Sequence, residues 1–348
     1  MKGGRTTLIN RRSESGLATL IVLIAVMMAS TVIAASYAWA RHEVWSSRRY
    51  VQQQKALATA RSAVGWGLHE LLADTTSTYD WLGDTWATEH YPISGGDESM
   101  TVQIADEGSK LNLNGEWLQP ATAAGVPASV ISGIQKRLTE KGYIGSITEL
   151  GALKDSARTF DLGHWFTTYG VYNINSLTNS SWSRLLKAMG VLEANEKALL
   201  DRIKTVQEYK RPDTVEEFLK QVGFSADLAG NLEPWLVADG AINVNTADED
   251  VLKAVCKAAG IDAGSMLAQR KVAPFRTRAD LEKVTGTLQG YGLELSVYSH
   301  VFKITSIVAL QTAPWQATVE AVVTRTWDGK RNDWVLQIIS WQEAVNSV

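Results

Sequence analysis

The chain has 348 residues, with 34 basic side chains against 37 acidic ones and a formal net charge of −3. That length suits two or three domains, and so even a charge balance argues against nucleic-acid binding as the main activity. Cys256 is the only cysteine, so no intramolecular disulfide or cysteine zinc site can form; the histidines His42, His69, His90, His164 and His300 stand singly; and no nucleophile elbow or phosphate loop occurs. The expectation is a non-enzyme that requires no cofactor.

A short basic leader with Lys2, Arg5, Arg11 and Arg12 ends at Gly16, and the stretch from Leu17 to Ala40 carries no charge. Twenty-four helical residues span about 36 Å, enough to cross a hydrocarbon core of about 30 Å. Residues 17–40 therefore read as a transmembrane helix. Small residues near position 38 keep a cleaved secretory signal open as an alternative. Past the span, Leu57, Ala60, Val64, Leu68 and Leu71 recur at helical intervals with no proline, so residues 41–73 read as a helical stem continuous with the anchor. The basic leader favours a cytoplasmic amino terminus, although Arg41, Arg48 and Arg49 on the far side weaken that bias.

Residues 74–99, rich in Asp, Thr, Ser and Gly, read as a long surface loop, and a strand is expected at 100–105. Near the carboxyl end, 301–310, 316–325 and 334–341 are β-rich at hairpin separations, with Asp328-Gly329 as a natural turn. Between these parts lies a helical region with a repeat. Asn-x-Asn occurs at Asn112/Asn114, Asn173/Asn175 and Asn243/Asn245, and each is followed 34 to 41 residues later by Ser/Thr-x-x-Asp/Glu at Ser146, Thr214 and Thr277. Each such Ser or Thr reads as a helix N-cap, and Thr246-Ala-Asp-Glu249 as a further capping box. Asn side chains close local turns, so the Asn-x-Asn elements are expected to set the entry to each module, near 106–165, 169–237 and 239–298.

The leader ending in Gly, the uncharged span and the extended helix together resemble type IV pilins and pseudopilins. The resemblance implies cleavage by prepilin peptidase after Gly16 and N-methylation of the new amino terminus at Leu17. Most members carry Glu at the fifth mature position, where this chain has Ile21. That departure, with Asp106-Glu-Gly-Ser-Lys-Leu-Asn-Leu-Asn114, Ile242-Asn-Val-Asn-Thr-Ala247 and the strand start at Phe302, resembles the K-type minor pseudopilins of type II secretion.

The fold implied is α+β: a pilin-like long amino-terminal helix with an antiparallel sheet from 74–105 and 299–348. A large insertion at 106–298, made of about three SAM-like or helix-hairpin-helix-like modules, interrupts that sheet. The function implied is capping the tip of the pseudopilus in support of protein export. The partners implied are I- and J-type minor pseudopilins, the major pseudopilin, prepilin peptidase and the inner-membrane assembly platform, with secreted cargo or the secretin as further candidates. The location implied is the inner membrane, with a cytoplasmic amino terminus and a periplasmic ectodomain.

Two further expectations stay open. Calcium is implied by the resemblance, with the acidic pairs Asp97/Glu98 and Asp106/Glu107 as candidate ligands. The third module also resembles a competence-type helix-hairpin-helix, with Arg276 and Arg278 as candidate phosphate contacts, so a competence-associated minor pilin with a DNA-binding head is the alternative function. A solvated basic face is the plainer reading of those arginines.

Overall fold

The computed structural model describes residues 8–76, 78–88, 93–95, 98–153, 161–191, 193–210, 212–288, 290, 294–310, 315–328 and 333–347. The chain divides into two compact units, Met1–Ala58 and Thr59–Val348. Helix α1 is Leu8–Ala73, so helix begins before Gly16 and takes in part of the leader. In the first unit every side chain from Gly16 to Gln52 is exposed.

In the second unit, α1 presents Ala60, Ala63, Val64 and Leu71 as a buried stripe. A Cβ at Gly67 would stand 2.7 Å from Cγ2 of Ile304, so glycine there lets the helix approach the sheet closely. Next come α2 (Thr85–Thr88), β1 (Ile93–Gly95) and β2 (Glu98–Asp106).

The first module follows, with β3 (Leu111–Asn112), α3 (Leu118–Ala124), α4 (Ala128–Lys141), α5 (Leu162–Trp165) and β4 (Phe166–Thr167). The second has β5 (Tyr172–Asn173), α6 (Asn179–Ala188), α7 (Glu193–Tyr209), α8 (Val215–Val222), α9 (Ala226–Leu232) and β6 (Leu236–Val237). The third has β7 (Ile242–Asn243), α10 (Glu249–Ala259), α11 (Ala263–Val272), α12 (Arg278–Thr285) and β8 (Leu295–Ser296). Strands β9 (Val301–Leu310), β10 (Trp315–Asp328) and β11 (Asp333–Ser347) complete the chain.

The main sheet has five strands in the order β1-β2-β9-β10-β11, antiparallel throughout. The helical region is thus inserted between two neighbouring strands, β2 and β9. The expected Asp328-Gly329 turn falls at the edge of the described residues. Each module is closed by a parallel pair of two-residue strands, β3 with β4, β5 with β6 and β7 with β8.

The modules are not equivalent in packing. The first and third share one core, in which Leu111, Val130, Ile134 and Phe166 join Val244, Val251, Val255 and Phe275. The middle module has its own core, built on Tyr172, Ile174, Trp182, Ile203 and Phe218. Trp182 and Phe218 stack there at 5.4 Å, while Trp117 meets Phe166 edge-on at 5.9 Å in the shared core.

Helix starts follow local chemistry. Thr214 Oγ1 accepts from the Glu217 N–H at 3.2 Å to start α8, and Thr277 Oγ1 accepts from the Asp280 N–H at 3.1 Å to start α12. The box at Thr246 is corrected. Asp248 caps α10 by accepting from the Asp250 N–H at 3.0 Å, because the Thr246 hydroxyl is spent on buried Asp106. The surface-loop reading of 74–99 is corrected as well: Asp80 and Trp86 are buried, and Trp86 meets Phe302 edge-on at 5.0 Å.

Candidate functional site

Three features stand out: an exposed apolar helix, a set of asparagine clamps, and a buried ionic joint between the sheet and the segment after α1. The helix carries the processing candidates. Gly16, Leu17 and Ile21 all lie on α1 and are exposed, Leu17 at 61% and Ile21 at 58%. The stretch is long and apolar enough to cross a membrane. Apolar surface left bare on this scale needs a non-aqueous partner.

The Asn-x-Asn elements work as paired clamps. In each, the first Asn turns its Oδ1 back to accept the N–H of the second: Asn112 to Asn114 at 3.0 Å, Asn173 to Asn175 at 2.9 Å, and Asn243 to Asn245 at 2.9 Å. The residue between them bonds the closing strand, with the Leu113, Ile174 and Val244 N–H groups each 2.9 Å from the carbonyls of Thr167, Val237 and Ser296.

The second Asn then reaches across the module. Asn114 donates to the Ile144 carbonyl at 2.9 Å and accepts from the Ile144 N–H at 2.9 Å. Asn245 does the same at Phe275, with both bonds 2.9 Å. In the first and third modules, buried amides satisfied on both sides fasten the start of the module to its middle.

The ionic joint centres on Arg325 of β10. Its guanidinium is buried, donating to Asp74 at 2.8 Å and to Asp80, and it lies over the rings of Trp334 at 4.2 Å and Phe302 at 4.7 Å. Asp80 also accepts the Ser299 N–H at 2.7 Å. Burial pushes its carboxyl up to about 7, against the pull of Arg325 and that N–H. Asp74, Asp80 and Asp84 bring carboxylate oxygens within 4.8 Å of one another, and the positive charge seated on the first two is Arg325 itself. Sequence reasoning missed this residue. The signal was strand parity, since Arg325 shares the inward face of β10 with Ala317, Val319, Ala321 and Val323.

The remaining candidates are dispersed. Asp106 is buried at the end of β2, where its oxygens accept from the Gly108 N–H at 2.7 Å and from the hydroxyls of Ser299 and Thr246; burial pushes it up to about 6. Glu107 pairs with Lys110 at 3.1 Å. Neither presents an open set of oxygens for a cation. Glu98 begins β2 and Asp97 lies outside the described residues.

Arg276 and Arg278 line a cleft of about 560 Å3, together with Asp239, Tyr298 and His300. Arg278 sits 3.3 Å from Glu282 and 3.7 Å from Asp239, and Arg276 lies over the Tyr79 ring at 5.9 Å. Burial holds the neighbouring His300 down at about 4. Asp239 also accepts from the Tyr298 hydroxyl at 2.7 Å.

These elements define a mixed helix-and-sheet protein with one long apolar amino-terminal helix and an antiparallel sheet interrupted by a helical head. No family model and no curated protein matches the sequence. Among solved structures, the chain is similar to one from the GspK-GspI-GspJ complex of the type 2 secretion system of enterotoxigenic Escherichia coli. The two are 14% identical, with 86% of this chain and 99% of that chain covered and a TM-score of 0.37.

Proposed function

We propose that this chain is a membrane-anchored, non-enzymatic minor pseudopilin of the K type, which ends a type II secretion pseudopilus. The observation that carries the reading is one helix whose exposed, uncharged first part has membrane length and whose last part packs on a sheet with a three-module head inserted between β2 and β9. An uncharged span favours residence in the bilayer until assembly. Ile21 supports a terminal place, because a carboxylate inside the bilayer is costly without a partner and a subunit with none ahead of it gains nothing from one. The head then serves as a bulky end-piece, with its modules held by the asparagine clamps.

The full-length chain, purified in mild detergent from cells that assemble such a fibre, is expected to bring with it smaller I- and J-type subunits bearing their own uncharged amino-terminal helices. Recovery of the chain with the assembly platform but without any pilin-like subunit contradicts the reading.

A further inference from the structure

Across the end of the uncharged span, the first unit carries a basic-aromatic stripe that the anchoring role does not use. Tyr37, Arg41, Val44, Trp45 and Arg48 recur at helical intervals and, with Ala40, line one shallow hollow of about 350 Å3. The Arg41 guanidinium lies over the Tyr37 ring at 5.9 Å, the Arg49 guanidinium over Trp45 at 5.7 Å, and His42 stacks on Trp45 at 6.5 Å. Tyr37, Trp39, Trp45 and Tyr50 are each exposed by 59% or more. Glu43 is the only acidic residue between positions 41 and 50.

Position along the helix says what meets this stripe. A core of about 30 Å takes up about 20 helical residues, so a span beginning at Leu17 leaves the hydrocarbon close to Tyr37. Tyr37 and Trp39 then stand at the depth where amphipathic rings settle, and Arg41 stands among the head groups. Helical side chains lean toward the amino terminus, so Arg48 and Arg49 reach back toward the same surface. Guanidinium groups match phosphate geometry, and the flanking rings suit the glycerol and upper acyl region.

We propose that Tyr37, Arg41, Trp45, Arg48 and Arg49 form a collar that binds acidic phospholipid head groups at the bilayer surface where the anchor emerges. The proposal rests on the anchoring reading and holds for either orientation of the chain.

The test uses the full-length chain in phosphatidylcholine vesicles, with and without phosphatidylglycerol at about a quarter of the lipid. Spin-labelled lipids report which head group the protein immobilises. The collar predicts preferential restriction of phosphatidylglycerol over phosphatidylcholine, falling about fivefold for each arginine changed to Gln at 41, 48 and 49. Removing equal charge from the head by changing Lys136, Lys204 and Lys220 to Gln is expected to leave the preference intact.

Equal restriction of both lipids by the unaltered chain overturns the proposal and points to an acidic protein partner. So does a preference that survives the triple arginine change, or one displaced by millimolar inorganic phosphate. Carbonate extraction separates the two levels: a chain released from vesicles defeats the anchor itself, whereas a retained chain without lipid preference defeats only the collar.

Discussion

Asn175 donates to the carbonyl of Pro212 at 3.3 Å, and Pro212 has no N–H to return, so the buried Asn175 Oδ1 finds no partner among the described residues. In the first and third modules the same place is held by Ile144 and Phe275, each of which both accepts from and donates to its asparagine. The middle clamp is therefore the weakest of three otherwise parallel devices, in the module that packs on its own core.

Unequal clamps predict unequal mutants. Asn114→Ala and Asn245→Ala each strand a buried N–H and at least one carbonyl, at a cost of roughly 2–4 kcal/mol, whereas Asn175→Ala costs roughly 1–2. Hydrogen exchange resolves the effect locally, with the Ile144 amide losing protection in the first variant and the Phe275 amide in the second. Equal losses of stability at all three asparagines would contradict the comparison.

Arg325 is expected to be the most sensitive residue of the sheet. Arg325→Met leaves Asp74 and Asp80 without their cation and is expected to cost about 3–5 kcal/mol. Arg325→Lys recovers little, because one ammonium cannot bridge both carboxylates while stacking between Phe302 and Trp334. Pairing Arg325→Met with Asp80→Asn is expected to restore part of the loss. Thermal unfolding reads all three, and a lysine variant as stable as the original chain would refute the bridging role.

Glu294 gives the joint between modules a pH dependence. It is buried, accepts from the Ser176 hydroxyl and lies near Glu116, and burial followed by that like charge pushes it up to about 8 from an ordinary 4.5. The folded state thus holds the proton more tightly than the unfolded one. The stability this group contributes is full below about 4.5 and is lost as pH rises through about 8. Glu294→Gln keeps the neutral shape, so it is expected to match the original chain near pH 5 and to exceed it in melting temperature near pH 9. Parallel melting curves for the two proteins across that range would exclude the effect.

Much of the fold was legible because its signals are local. An uncharged run of membrane length, alternating β segments and Thr caps at 214 and 277 each depend on neighbouring residues alone. The Asn-x-Asn turns were readable for the same reason, but their targets were not, since the reach from Asn114 to Ile144 or from Asn245 to Phe275 is set by tertiary packing. Thr246 misled because a hydroxyl that suits a cap also suits a distant buried carboxylate, here Asp106. The Asp-rich segment after α1 looked like solvent-facing loop, and only the inward parity of Arg325 signalled that its carboxylates turn inside.

The proposed role requires a helix clipped after Gly16 and held in the bilayer. Intact-mass measurement of the chain purified from membranes tests it directly. The expected species begins at Leu17 with one added methyl group on its amino terminus, and the leader is retained when Gly16→Val is introduced. A mature chain beginning near Arg41, or one whose leader is removed normally from the Gly16→Val variant, would contradict it.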